Sequence, residues 1–135
     1  MVNLVLNPDT QHCIDDCLHC YRTCLEMAMN HCLETGGRHM APEHFRLMIN
    51  CADICRLAAD FMLSSSPLHA NTCAACAVVC EACATSCEDI GNMEACVQAC
   101  RRCSQSCQQM AGDLGLAHMK GWKGMPTGLQ ERLPM

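Results

Sequence analysis

The sequence predicts an all-α fold, an up-down-up-down antiparallel four-helix bundle with a Cys-lined core. Three observations predict it. Sixteen of the 135 residues are Cys, while Phe, Tyr and Trp together supply four, so sulfur must fill space that aromatic area ordinarily fills. The cysteines recur in steps that alternate between three and four, the inward seam of a bundled helix. Pro, Ser and Gly punctuate the chain at helix-length intervals, and nowhere does the period-2 alternation of a strand appear. A chain of 135 residues suits one domain. It divides into a Cys-rich bundle over residues 1–112 and a loosely packed tail over 113–135.

The first helix is expected from about Pro8 to Thr35. Asn7 can cap it, Pro8 suits the first helical position, Asp9 favours the positive end of the dipole, and Gly36-Gly37 stops it. Its seam reads Cys13, Cys17, Cys20, Cys24, then Met27 and His31, which leaves Cys32 off the register. The second helix, about Pro42 to Leu63, carries His44, Met48, Cys51, Cys55, Ala58 and Met62 on its seam and is broken by Ser64-Ser65-Ser66-Pro67. The third, about Pro67 to Asp89 with Ser66 as cap, carries Cys73, Cys76, Cys80, Cys83 and Cys87, and ends at Gly91. The fourth begins after Asn92 as cap and reaches about Gly112, with Met93, Cys96, Cys100, Cys103, Cys107 and Met110 on one face. Short connections make sequential helices antiparallel neighbours. Leu114, Leu116 and Trp122 would anchor the tail.

Cys is a small, readily buried hydrophobe, and one or two on a seam need no chemistry. A chain that forgoes Leu along three whole seams is using sulfur. Disulfides are the first rival, since Cys-dense short chains are usually secreted scaffolds. The opening Met1–Asp9 has neither the basic segment nor the apolar run of a signal peptide. No stretch approaches the apolar length of a membrane span. The expectation is therefore a cytoplasmic chain with reduced thiols and no membrane partner. Zinc prefers isolated tetrahedral four-thiolate sites, usually on loops, and the ferredoxin run C-x2-C-x2-C-x3-C-P is absent. Soft thiolate and thioether ligands select Cu(I).

Spacing makes the copper reading concrete. Residues four apart on a helix have Cβ atoms about 5–6 Å apart, so two sulfurs leaning together can clamp one ion. The pairs are Cys13/Cys17, Cys20/Cys24, Cys51/Cys55, Cys76/Cys80, Cys83/Cys87, Cys96/Cys100 and Cys103/Cys107. Each monovalent ion cancels one buried thiolate, which implies on the order of sixteen Cu(I) per chain, with protons released on loading. All the cysteines, Cys32 included, are candidate ligands.

Met40, His44, Met48, Met93 and His31, together with Cys32 and His39, gather at one end as a loading mouth and auxiliary ligands. Val2 to Leu6, Phe61, Met62, Leu63, Leu68, Leu114 and Leu116 gather at the other as an apolar plug. The alternative mouth lies there, near His69, Met62 and Met110. A net charge of −5 argues against a nucleic-acid partner. No nucleotide loop or general-base constellation points to an enzyme. A zinc- or cadmium-sequestering, metallothionein-like protein is the alternative function.

The C-x3-C-x2-C-x3-C and C-x2-C-x3-C-x2-C runs on consecutive helices, over about residues 8 to 112, resemble the cytosolic branch of the bacterial copper storage proteins. That resemblance implies a four-helix bundle, many Cu(I) ions per chain held mainly by the seam cysteines, and assembly into a homotetramer. A copper chaperone or efflux system would then exchange metal with it.

Overall fold

The first helix, α1, starts where its sequence says it should. The Asn7 side chain accepts from the Thr10 backbone N–H at 2.9 Å, satisfying one of the unpaired donors of a helix start. The computed structural model describes residues 6–112, all helical or connecting among the described residues. α1 spans Pro8–Glu26 and continues without a break through a π-helical turn, Met27–Cys32, and a last α turn, Leu33–Thr35. Gly36, at φ +69°, reverses the chain in a conformation that only glycine adopts at no steric cost. A short 3₁₀ turn, Gly37–Met40, leads into α2, Pro42–Leu63. Then come α3, His69–Ile90, and α4, Glu94–Ala111.

Two predicted starts shift. α3 begins at His69, not Pro67. Ser66 acts one turn earlier, its Oγ accepting from the Leu68 N–H at 3.1 Å. Asn92 does not cap α4: it sits at φ +59°, the left-handed region that Asn tolerates, and Met93 precedes the first helical residue.

Each helix packs against its neighbours in sequence, and α4 closes the square against α1. The interior is made of sulfur and alanine. Ala28, Ala52, Ala58, Ala59, Ala74, Ala77 and Ala84 are buried among the cysteines, small enough to let the backbones approach. Buried polar contacts tie the faces together: Ser104 Oγ donates to the Ala77 carbonyl at 3.0 Å, and Ser106 Oγ donates to the buried Asp16 carboxylate.

α3 departs from one expectation. By length and composition alone it is apolar enough to cross a membrane. Its apolarity has a nearer cause, because Cys73, Cys76, Cys80, Cys83 and Cys87 and the alanines between them face the core. The expected apolar plug is partial: Met62 is buried, but Leu63 and Leu68 are exposed. Val2–Val5, Leu114, Leu116, Trp122 and the tail over 113–135 lie outside the described residues.

Candidate metal centre

The helical beat puts every cysteine inside. All sixteen are buried, none more than 1% exposed, and all are free thiols. Along the axis the sulfurs form a nearly continuous column. From one end, Cys13 lies 3.8 Å from Cys107, Cys107 3.5 Å from Cys17, and Cys17 3.6 Å from Cys103. Cys103 meets Cys55 at 3.7 Å, and Cys55 meets Cys80 at 3.4 Å. Cys80 is 3.7 Å from Cys51, which leads to Cys24 at 3.8 Å and from there to Cys100 at 3.5 Å.

Some of the clamps expected within single helices are present. Cys20/Cys24, Cys51/Cys55 and Cys76/Cys80 stand at 3.9, 4.0 and 3.7 Å. The shortest contacts, however, cross between helices, as in Cys55–Cys80, Cys17–Cys107 and Cys24–Cys100. Groups of mutually close sulfurs therefore draw on several helices: Cys17, Cys76, Cys103 and Cys107; Cys20, Cys24, Cys51 and Cys100; Cys20, Cys55, Cys80 and Cys103; and Cys13, Cys73 and Cys107. Cys20, Cys103 and Cys107 each belong to two groups. Independent tetrahedral sites cannot all form at once from shared ligands. A metal that accepts two or three sulfurs and tolerates bridging can use the whole column.

One assignment needs correction. Cys32, read as off the register, is fully buried, with Ala28 buried one turn before it. Met27 and His31, read as the continuation of the seam, are only partly buried. The cause is the π-helical turn over Met27–Cys32, whose wider winding keeps Cys24, Ala28 and Cys32 on one face in steps of four. In an unbroken α-helix that face would have drifted off the seam. Cys32 Sγ then stands 3.9 Å from His44 Nε2, while His44 Nδ1 lies 2.8 Å from Ser86 Oγ.

At the same end, Met48 is fully buried, with its thioether 3.4 Å from the Cys87 sulfur and 3.7 Å from that of Cys83. Met93 is buried, and Met40 is half-buried. Thus His44, Met48 and Cys32 do come together with the column. His31 and His39 pair with each other to one side, their rings 4.9 Å apart.

Protonation follows from hydrogen bonding and burial. Hydrogen bonds from Cys83 and Cys96 hold Cys87 down to about 4. Those of Cys107 and Cys13 hold Cys73 down to about 4. Hydrogen bonding with Cys103 and Cys107 lowers Cys17 to about 7. Hydrogen bonding with the surrounding thiols, Cys100 first, pushes Cys51 upward, and burial adds to the shift. Burial, then the neighbouring Cys87, pushes Cys32 up, and burial pushes the His44 imidazole down. Hydrogen bonding likewise lowers Cys20, Cys24 and Cys76 in the middle of the column, so lowered and raised thiols lie side by side, while burial by itself favours the protonated, neutral form.

A disulfide-free bundle whose interior is a column of shared thiols is a container for soft metal ions, with ligands in bulk and no single coordination site. The chain belongs to the copper storage protein family, whose model matches residues 6–112. It is similar to Nmul_A1745 of Nitrosospira multiformis, with 56% identity and a TM-score of 0.75 over 76% of this chain and 94% of that one. The Cu(I)-bound copper storage protein BsCsp3 is 37% identical, with a TM-score of 0.72 over 77% of this chain and 99% of that one. A cysteine-rich protein of Bacillus subtilis strain 168, YhjQ, described as uncharacterized, is 38% identical over 68 residues, which are 50% of this chain and 62% of that relative.

Proposed function

We propose that this chain stores Cu(I) in the cytoplasm, holding many ions on the cysteine thiolates inside its bundle. The observation that carries the reading is the column itself, in which free buried thiols from all four helices touch at 3.4–4.0 Å and gather in shared groups whose sulfurs all lie within 4.8 Å of one another. Soft monovalent ions match both the ligand and the charge: each cancels one thiolate, so on the order of sixteen leave the interior near neutrality. The empty bundle keeps its fold because protonated thiols pack as small hydrophobes. The Cu(I)-bound relative supports the same cargo.

Loading is proposed at the end bearing Met40, His44, Met48 and Met93. Two features support this: the Met48 thioether against Cys87 and Cys83, and a cleft of about 230 Å³ bordered by Cys87 and Met93. Thioether and imidazole hold the ion less tightly than thiolate, which suits a point of exchange with a chaperone or efflux carrier. The opposite end, with a hollow of about 310 Å³ beside Met62 and His69, is the alternative mouth. Exposed Leu18, Met29, Leu33 and Leu57 support self-association, proposed as a homotetramer, for which a monomeric mass by light scattering would be fatal.

The decisive experiment is anaerobic Cu(I) titration against a competing chelator. Uptake on the order of sixteen equivalents is expected. Binding that stops after one or two ends the storage reading. Metal analysis after anaerobic purification from metal-replete cells tests the zinc or cadmium alternative, and zinc in excess of copper would establish it.

A further inference from the structure

The π-helical turn that brings Cys32 inward has a second effect. It leaves Met27 and His31 on the wall of an open cleft of about 440 Å³ between α1 and α4, bordered also by Thr23, Glu26, Asn30 and Ala95. The cleft lies on the flank of the bundle, and the thiol column is close beneath it, since the Cys96 thiol donates to the Thr23 carbonyl at 3.9 Å. Two soft-to-borderline side chains, a thioether and an imidazole, therefore border an open groove one layer from a column thiol.

His31 is also poised in an unusual way. Its Nε2 is buried without a hydrogen-bond partner, and so is Nδ1 of His39, a residue only 8% exposed. Buried polar atoms are nearly always satisfied, and here two unpaired imidazole nitrogens belong to rings in contact. The rings stand 4.9 Å apart at 87°. Two imidazoles sharing one ion in a bent arrangement, each nitrogen about 2 Å from the metal, put their ring centres roughly 5 Å apart. The observed pair is at that separation without any ligand.

We propose that His31 and His39 form a separate acceptor site for Cu(I) outside the thiol column, His31 bordering the α1–α4 cleft with Met27 on the same wall and His39 closing the site from the turn between α1 and α2. The proposal rests on the storage reading for its cargo. Transfer from this site is ligand exchange with no change in copper oxidation state. The ion leaves imidazole and thioether for a column thiol, Cys96 or Cys32, and that thiol gives up its proton to solvent as the bond forms. Neutral imidazole and thioether hold Cu(I) less tightly than thiolate, so the site fills at equilibrium only after the column is full.

The test uses the full chain, labelled with ¹⁵N and kept anaerobic near pH 8, above the ordinary imidazole pKa of about 6.5. Cu(I) is added from a weak chelator until the thiolate–copper absorption stops rising, and then further. About one additional equivalent is expected. His31 Nε2 and His39 Nδ1 should shift together as it binds, while the exposed His12 and His19 stay unmoved. In His31→Phe both the extra equivalent and the His39 shift should vanish. Wild-type His31 and His39 signals that do not move, or an extra equivalent that survives His31→Phe, would overturn the proposal. The absorption of the column reports storage separately: a column that fills normally beside silent histidines removes this site and leaves storage standing.

Discussion

Replacing Cys51 with Ala separates what sulfur does for the fold from what it does for the metal. Cys51 Sγ stands 3.7–4.0 Å from the sulfurs of Cys20, Cys24, Cys55, Cys80 and Cys100. Those contacts are worth about 0.1–0.2 kcal/mol each, so their loss stays below about 1 kcal/mol. Withdrawing a group the size of a methylene from the core adds about 0.8 kcal/mol. The apo variant should therefore be destabilised by about 1–2 kcal/mol against the roughly 5–15 kcal/mol of an ordinary domain, and should remain folded. The metal effect has a different signature. The Cys20, Cys24, Cys51 and Cys100 group would keep three sulfurs, a number Cu(I) still accepts. Capacity should then fall by only about one ion, the charge of the missing thiolate. A tetrahedral dication would lose that site outright. Anaerobic urea denaturation of the apo protein and Cu(I) titration of the same preparation measure the two quantities. An unchanged copper capacity would refute the assignment of Cys51 as a ligand. A destabilisation above about 4 kcal/mol would refute the view that its sulfur is a minor part of the fold's stability.

Met48→Leu conserves volume and should change apo stability by less than about 1.5 kcal/mol while leaving total copper near the wild-type value. It should slow uptake from a chelator, as stopped-flow absorbance would record, and an unaltered rate would count against loading beside Cys87 and Cys83. Ser106→Ala removes the buried donor to the Asp16 carboxylate and should cost about 1–3 kcal/mol in a denaturant melt, because the oxygen then keeps only the exposed His12 imidazole at 3.3 Å. Burial holds the His44 imidazole below its ordinary pKa, so at mildly acid pH the unfolded chain binds a proton that the native chain refuses. Apo stability should be fully present above about pH 6.5, the unfolded value, and fall as pH drops from there toward the depressed native pKa. His44→Gln should flatten that slope, and an identical pH profile in the variant would exclude His44 as its source.

Much of this was legible in the chain. α2 runs over the residues its pattern indicates, Pro42–Leu63, because Pro at the first position and a Ser-rich break at the end are local signals that packing does not override. The cap at Asn7 is local in the same way. Ser66 and Asn92 were harder to read, because each is a good cap by composition, and the chain direction needed to close the next helix decided the backbone at both. Nothing in Met27-Ala28-Met29-Asn30-His31-Cys32 announces a π turn. Its residues are ordinary helix formers, and the wider winding shows only as Cys32 packed inside opposite His44.

The beat of three and four determined by itself that the cysteines share an inward stripe, since side-chain direction on a helix depends only on residues a turn apart. The sequence could therefore specify a thiol-lined interior and the soft metal it suits. Tertiary structure decided which sulfurs meet. The axial offset and rotation of each helix against its neighbours place Cys55 against Cys80 and Cys17 against Cys107, and they also bring His31 to His39. Those offsets are set by contacts between residues far apart in the chain, where a shift of a single residue exchanges every partner, and spacing along one helix carries no information about them.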